Sequence, residues 1–153
     1  NYLLICFNLT TIKDKFARNK IDKMDKKIIT TAAVFGMIAI ILGAFGAHAL
    51  KNVLSIDQLV TFETGVKYQM YHALFLLFIG TITDLTQKKK KQIYYLTLSG
   101  VVLFSGSIYL LATNDLTSFD FKIIGFVTPI GGLLLIIAWG ALFLNYFNKK
   151  SQN

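Results

Sequence analysis

Two histidines, His48 and His72, are the only ones in a chain of 153 residues. Both fall in apolar surroundings where an ionisable ring is uncommon. An imidazole there can titrate, relay a proton or ligate a metal. Two histidines alone make a poor zinc site, which needs three or four protein ligands. Glu63 is the nearest candidate for a third. On a continuous helix, however, it lies about 180° from His72 at ~3.6 residues per turn, so only a break near Gly65 would unite them. Gln69, three residues before His72, shares its face and is the better neighbour. The candidate polar functional residues are therefore His48, Gln69 and His72, each open to a second reading as a hydrogen-bonded structural group. No metal and no cofactor is expected. Nothing resembles a nucleophile–base pair, a phosphate loop or a nucleotide fingerprint.

The elements that must position these residues are apolar runs. With 54% hydrophobic residues and a single proline, the composition is that of a polytopic membrane protein rather than a soluble domain. Four stretches, at about 28–50, 68–85, 93–112 and 123–147, approach or exceed the ~20 residues a helix needs to cross a bilayer. They are continuously apolar, without the period-two alternation of a membrane barrel. The expected fold is an all-α membrane protein, a bundle of four transmembrane helices.

Charge sets the expected orientation. Lysines and one arginine crowd the segment before the first run, Lys88-Lys89-Lys90-Lys91 lies between the second and third, and Lys149 and Lys150 follow the fourth. The other two connections carry few basic residues and are accompanied by Asp57, Glu63, Asp115 and Asp120. This alternation is that of the positive-inside rule, with both termini and the tetra-lysine loop cytoplasmic. The net charge of +8 therefore reads as topology, with no nucleic-acid partner, since no separate folded domain displays the lysines.

Residues 1–23 differ from the rest. The first methionine is Met24, followed directly by Asp25-Lys26-Lys27 and the first run. Residues 1–23 are expected to be an extension outside the native product, with 24–148 the membrane domain and 149–153 a cytoplasmic tail. The only cysteine, Cys6, falls in the extension, so no disulfide framework is expected. Ser55-Ile56-Asp57-Gln58 reads as a capping box, with Leu54 and Leu59 placed for a hydrophobic staple. A surface helix over about 56–67 should therefore lead into the second span, bent near Gly65.

Small residues recur at helical spacing. Gly36, Gly43 and Gly46 in the first span, Gly80 in the second, Gly106 in the third, and Gly125 and Gly132 in the fourth are the candidate helix-packing residues, since small side chains let backbones approach. Gly36, Gly43 and Ala47 share one side of the first helix, and His48 lies about 100° away. Pro129 removes a backbone hydrogen bond within the fourth run and is a candidate hinge.

Four segments together resemble a known family: GAFGAHALK (43–51), FETGVKYQMYHAL (62–74), LFSGSIYLLA (103–112) and TPIGGLLLIIAW (128–139). They are similar to the YgdD/YwdK-like family of small bacterial membrane proteins, over essentially residues 24–148. The resemblance implies a four-span inner-membrane protein of a domain of unknown function, and it carries no established catalytic residues.

The functional expectation is an integral plasma-membrane protein of unknown biochemical activity. It is read as an interaction or membrane-organising component that packs with itself, with lipid or with another membrane protein, and not as an enzyme. The alternative is a small-solute or proton-coupled transporter using His48, Gln69, His72 and the Pro129 bend. Intramembrane hydrolysis has no acid–base or metal constellation behind it.

Overall fold

Capping side chains punctuate the chain into four helices in a computed structural model that describes residues 22–150. The proposed extension therefore lies almost wholly outside the described residues, as does the end of the tail. Asp22 caps α1 (Lys23–His48) by accepting the Met24 N–H at 3.4 Å. A short helical turn (Leu50–Asn52) leads to α2 (Ile56–Thr81). The expected capping box is present: Ser55 Oγ accepts the Gln58 N–H at 3.3 Å, and Gln58 Oε1 accepts the Ser55 N–H at 2.9 Å. Thr86 caps α3 (Gln87–Ala112). Two further turns, Asn114–Leu116 and Phe121–Ile124, precede α4 (Val127–Lys150).

The second helix is continuous, so the expected surface helix and second span are one element with no break at Gly65. Gly65 is buried, and a Cβ there would meet Tyr109 Cε1 at 2.8 Å and Ile108 Cγ2 at 3.0 Å. Its missing side chain makes room for α3.

The fourth helix differs from expectation at its start. Pro129 is the third residue of α4 and not an interior kink. The N–H groups of a helix's first turn have no intrahelical acceptor, so proline there interrupts nothing. The preceding chain turns at Gly125, whose N–H donates to Lys122 O at 3.1 Å. Gly125 serves this turn, its nearest neighbour being Lys122 O, instead of seating another helix.

The helices run antiparallel in sequence, α1 along α2, α2 along α3 and α3 along α4. At the lysine-rich end a core of Ile28, Phe75, Leu76, Ile79, Ile93 and Ala138 joins all four. At the opposite end Leu50, Leu54, Phe62 and Ala112 form a second cluster, with Leu59 packed on it as the staple requires. The outside is apolar: Met37, Ile40 and Ile41 on α1 and Leu133, Ile136 and Phe143 on α4 remain exposed. Such a belt suits hydrocarbon as solvent.

Three stretches, Lys23–Asn52, Gln87–Ala112 and Phe121–Asn148, are long and apolar enough to cross a membrane. Helix α2 is as long as α1 and α3 but falls short in apolarity, because Glu63, Lys67, Gln69 and His72 lie along it.

Candidate functional site

Gln69 is the polar centre of the bundle. It is buried on α2, where its Nε2 donates to Phe35 O of α1 at 2.9 Å. Its Oε1 accepts the Tyr109 hydroxyl of α3 at 2.9 Å. One amide thus ties three helices, and both of its ends are engaged.

His72 lies one turn further along α2 and is 5% exposed. Its Nδ1 is 2.7 Å from Tyr68 O, which can only accept, so Nδ1 carries the proton. The unprotonated Nε2 then accepts the Trp139 indole N–H of α4 at 3.4 Å. These partners fit the neutral ring. Phe75 stacks beside the junction, its ring centroid 4.2 Å from that of Trp139.

Gln69 and His72 therefore share a region, and His48 does not join them. Gly36 faces Ala73, the residue after His72. His48 lies twelve residues farther along α1, about 18 Å at ~1.5 Å per residue. It is exposed at the end of α1, where its carbonyl accepts from Asn52 Nδ2. The two histidines stay apart because His72 sits four turns down α2, whereas His48 ends α1. Glu63 is also remote, on the exposed side, and pairs with Lys67 at 3.3 Å. Among the described residues, no three His, Cys, Asp or Glu side chains are grouped to hold a metal.

Between α2, α3 and α4 a cleft of about 460 Å³ opens on the outer surface of the bundle. Its walls include Tyr68, His72, Phe104, Leu135, Ile136 and Trp139. The rings of Tyr68 and Phe104 meet at 4.9 Å, and the His72–Trp139 contact closes one side.

The glycines divide into distinct roles. Gly36, Gly43 and Gly46 seat α2, with added Cβ atoms meeting Ala73 at 3.9 Å, Val66 at 3.4 Å and Phe62 at 3.2 Å. Ala47, expected on this seam, is exposed. Gly80 receives Ile29 of α1, and a Cβ on Gly132 would lie 3.5 Å from the Phe104 ring. A Cβ on Gly106 would meet nothing within 4 Å, so no helix is seated there. Two glycines outside the expected set make closer approaches: Gly100 to the Leu135 side chain and Gly131 to the backbone at Leu103 and Phe104.

Sequence reading also missed a charged junction at the lysine-rich end. Lys90, 2% exposed, reaches Asp25 Oδ1 at 2.8 Å, and Gln87 Nε2 reaches the same carboxylate at 3.3 Å. Beside it, Lys27 Nζ donates to the Tyr95 hydroxyl at 3.1 Å and lies over the Tyr94 and Tyr95 rings. The signal was present: Lys90, Ile93, Tyr94 and Thr97 form a helical stripe that places the lysine on the buried face.

The chain is similar to several membrane proteins. It is 43% identical over 122 residues to a UPF0382 membrane protein of Staphylococcus saprophyticus, covering 80% of this chain and 98% of the relative. With the UPF0382 membrane protein YwdK of Bacillus subtilis it shares 37% identity over 116 residues, 74% of this chain and 90% of the relative. A UPF0382 membrane protein of Haemophilus influenzae is 35% identical over 128 residues, 84% of this chain and 99% of the relative. No solved structure matches. The family described as "Protein of unknown function (DUF423)" matches residues 42–132, and with relatives of this identity and coverage the chain belongs to that family of membrane proteins of uncharacterised activity.

Proposed function

We propose that the protein is a multi-pass component of the plasma membrane in which all four helices span and both termini are cytoplasmic. It acts by packing, with itself or with another membrane protein, and not as an enzyme. The observation that carries this reading is the use made of its buried polar groups: both ends of Gln69 and both nitrogens of His72 are engaged by neighbours. In a membrane such bonds hold helices together. A transporter reading would draw on paired histidines and a proline hinge, whereas His48 is remote from His72 and Pro129 begins a helix.

For the fourth span, the support is that α2 is 26 residues long and shields its polar side chains between α1 and α3. For orientation, the support is the grouping of Lys23, Lys26, Lys27 and the tetra-lysine run at one end. A cysteine placed at Ser118, between α3 and α4, should react with an impermeant maleimide in intact cells, after Cys6→Ser removes the native thiol. Labelling only after permeabilisation would reverse the topology.

Assembly is tested at the α1–α2 seam. Gly46→Leu drives a branched side chain into the Phe62 ring and should abolish co-purification of two differently tagged copies, or of whatever partner crosslinks to the wild type. His72→Ala, which removes the Tyr68 and Trp139 bonds without obstructing the seam, should weaken that association far less. The reverse pattern would sink the packing reading.

A further inference from the structure

We infer that the cleft between α2, α3 and α4 is a binding site for a lipophilic ligand with a planar ring bearing a carbonyl acceptor, the chemistry of membrane quinones. At about 460 Å³ it falls within the ~300–1,000 Å³ of small-molecule sites, and its position between bundle helices is a usual one. It is separate from the glycine seam on which the packing proposal is tested.

Three features select the ligand class. The walls are aromatic: Tyr68 and Phe104 meet at 4.9 Å, and Trp139 faces the cleft with 51% of its surface exposed. Aromatic walls favour a flat ring, by offset or edge contacts, over a straight hydrocarbon chain. Next, the donors are unevenly spent. The Tyr68 hydroxyl, on a residue 41% exposed, makes no hydrogen bond among the described residues. The Trp139 N–H is held only by the 3.4 Å contact to His72, at the long limit of such bonds. Hydrocarbon offers neither donor a partner, so a ligand carbonyl gains where an acyl chain would not. Finally, Gly132 and the side chains of Leu135 and Ile136 leave the remaining wall apolar, suiting the hydrocarbon tail of the same molecule.

Trp139 is the only tryptophan in the chain, so tryptophan fluorescence, excited beyond the tyrosine absorption, of the purified full-length protein in lipid–detergent micelles reports on this cleft alone. Titration with decylubiquinone should quench it saturably. Tyr68→Phe keeps the ring and removes one hydrogen bond, and should weaken binding about fivefold. Gly132→Leu should fill the cleft and eliminate the saturable component. If that variant does not fold, Tyr68→Phe still decides. Quenching that rises linearly without saturation, or that is the same in Tyr68→Phe and wild type, would overturn the assignment. So would displacement of the quinone by an equimolar straight-chain fatty acid, which would make the cleft an acyl groove.

Discussion

Gly131→Ala is expected to destabilise the bundle by about 3 kcal/mol, the upper part of the range for overpacking a tight contact. The added methyl carbon would lie 2.4 Å from the Phe104 nitrogen and 2.8 Å from the Leu103 carbonyl carbon. Both are backbone atoms of α3, which cannot rotate away as a side chain does, so α3 and α4 must move apart. Helix α4 packs chiefly on α3, so the separation is felt along its main support. Neighbouring glycines provide the controls. At Gly100 a Cβ would also be crowded, at 2.5 Å, but by the Leu135 side chain, with the nearest α4 backbone atom, Gly131 O, at 3.2 Å, so alanine there should cost less. At Gly140 nothing lies within 4 Å, and alanine should be neutral or stabilise by up to about 1 kcal/mol through helix propensity. Unfolding midpoints in mixed detergent micelles check the order Gly131 worst, Gly100 intermediate, Gly140 harmless. An equal response at all three would remove the close α3–α4 contact from the account.

Asp25→Ala should cost a comparable amount, about 3 kcal/mol, the lower part of the range for stripping one partner from a buried ion pair. The lower part applies because Asp25 keeps 17% of its side-chain exposure and a lysine can extend toward water. The substitution leaves the Lys90 ammonium, with 3% side-chain exposure, without its carboxylate, and Gln87 loses the same acceptor. The double variant Asp25→Leu with Lys90→Met should recover most of the loss, since apolar replacement of both partners is often neutral. Lys89→Met and Lys91→Met, on exposed neighbours, should change little. Denaturant titration of the five proteins reads this directly. A double variant no better than Asp25→Ala alone would mean that the carboxylate acts through something other than Lys90.

These two sites mark where the amino-acid sequence was legible and where it was not. The capping box at Ser55 and Gln58 could be read because its partners are three residues apart. The same holds for the Glu63–Lys67 pair. Long apolar runs announce helices by length alone. Gly36, Gly43 and Gly46 announced a seam, but spacing on one helix does not say which neighbour fills it or how closely. Gly131 stayed outside the expected set because its role depends on a backbone contact 27 residues back. Lys90 was merged into a charge run, although the stripe it shares with Ile93 and Tyr94 points inward. The error with the histidines was one of depth. Where α2 begins was readable from its cap, yet the second span was placed from the apolar run at 68, which set His72 near a surface instead of four turns along the helix. Pro129 failed similarly, since a continuous apolar stretch concealed the turn at Gly125 that starts α4 anew.

The double anchorage of Gln69 bears on how the protein is made. In the four-span arrangement proposed above, α1 emerges from the ribosome first and can offer the Phe35 carbonyl to the Gln69 amide. The Tyr109 hydroxyl that completes the bond set belongs to α3, synthesised 40 residues later. Until then α2 carries an amide half-satisfied and an imidazole whose indole partner is further downstream still, a costly burden in hydrocarbon. Membrane insertion of α2 should accordingly lag its translation, with the segment resting at the bilayer interface until α3 arrives. Chains arrested before residue 109 would leave it there, open to proteases and to the quality-control machinery of the cell.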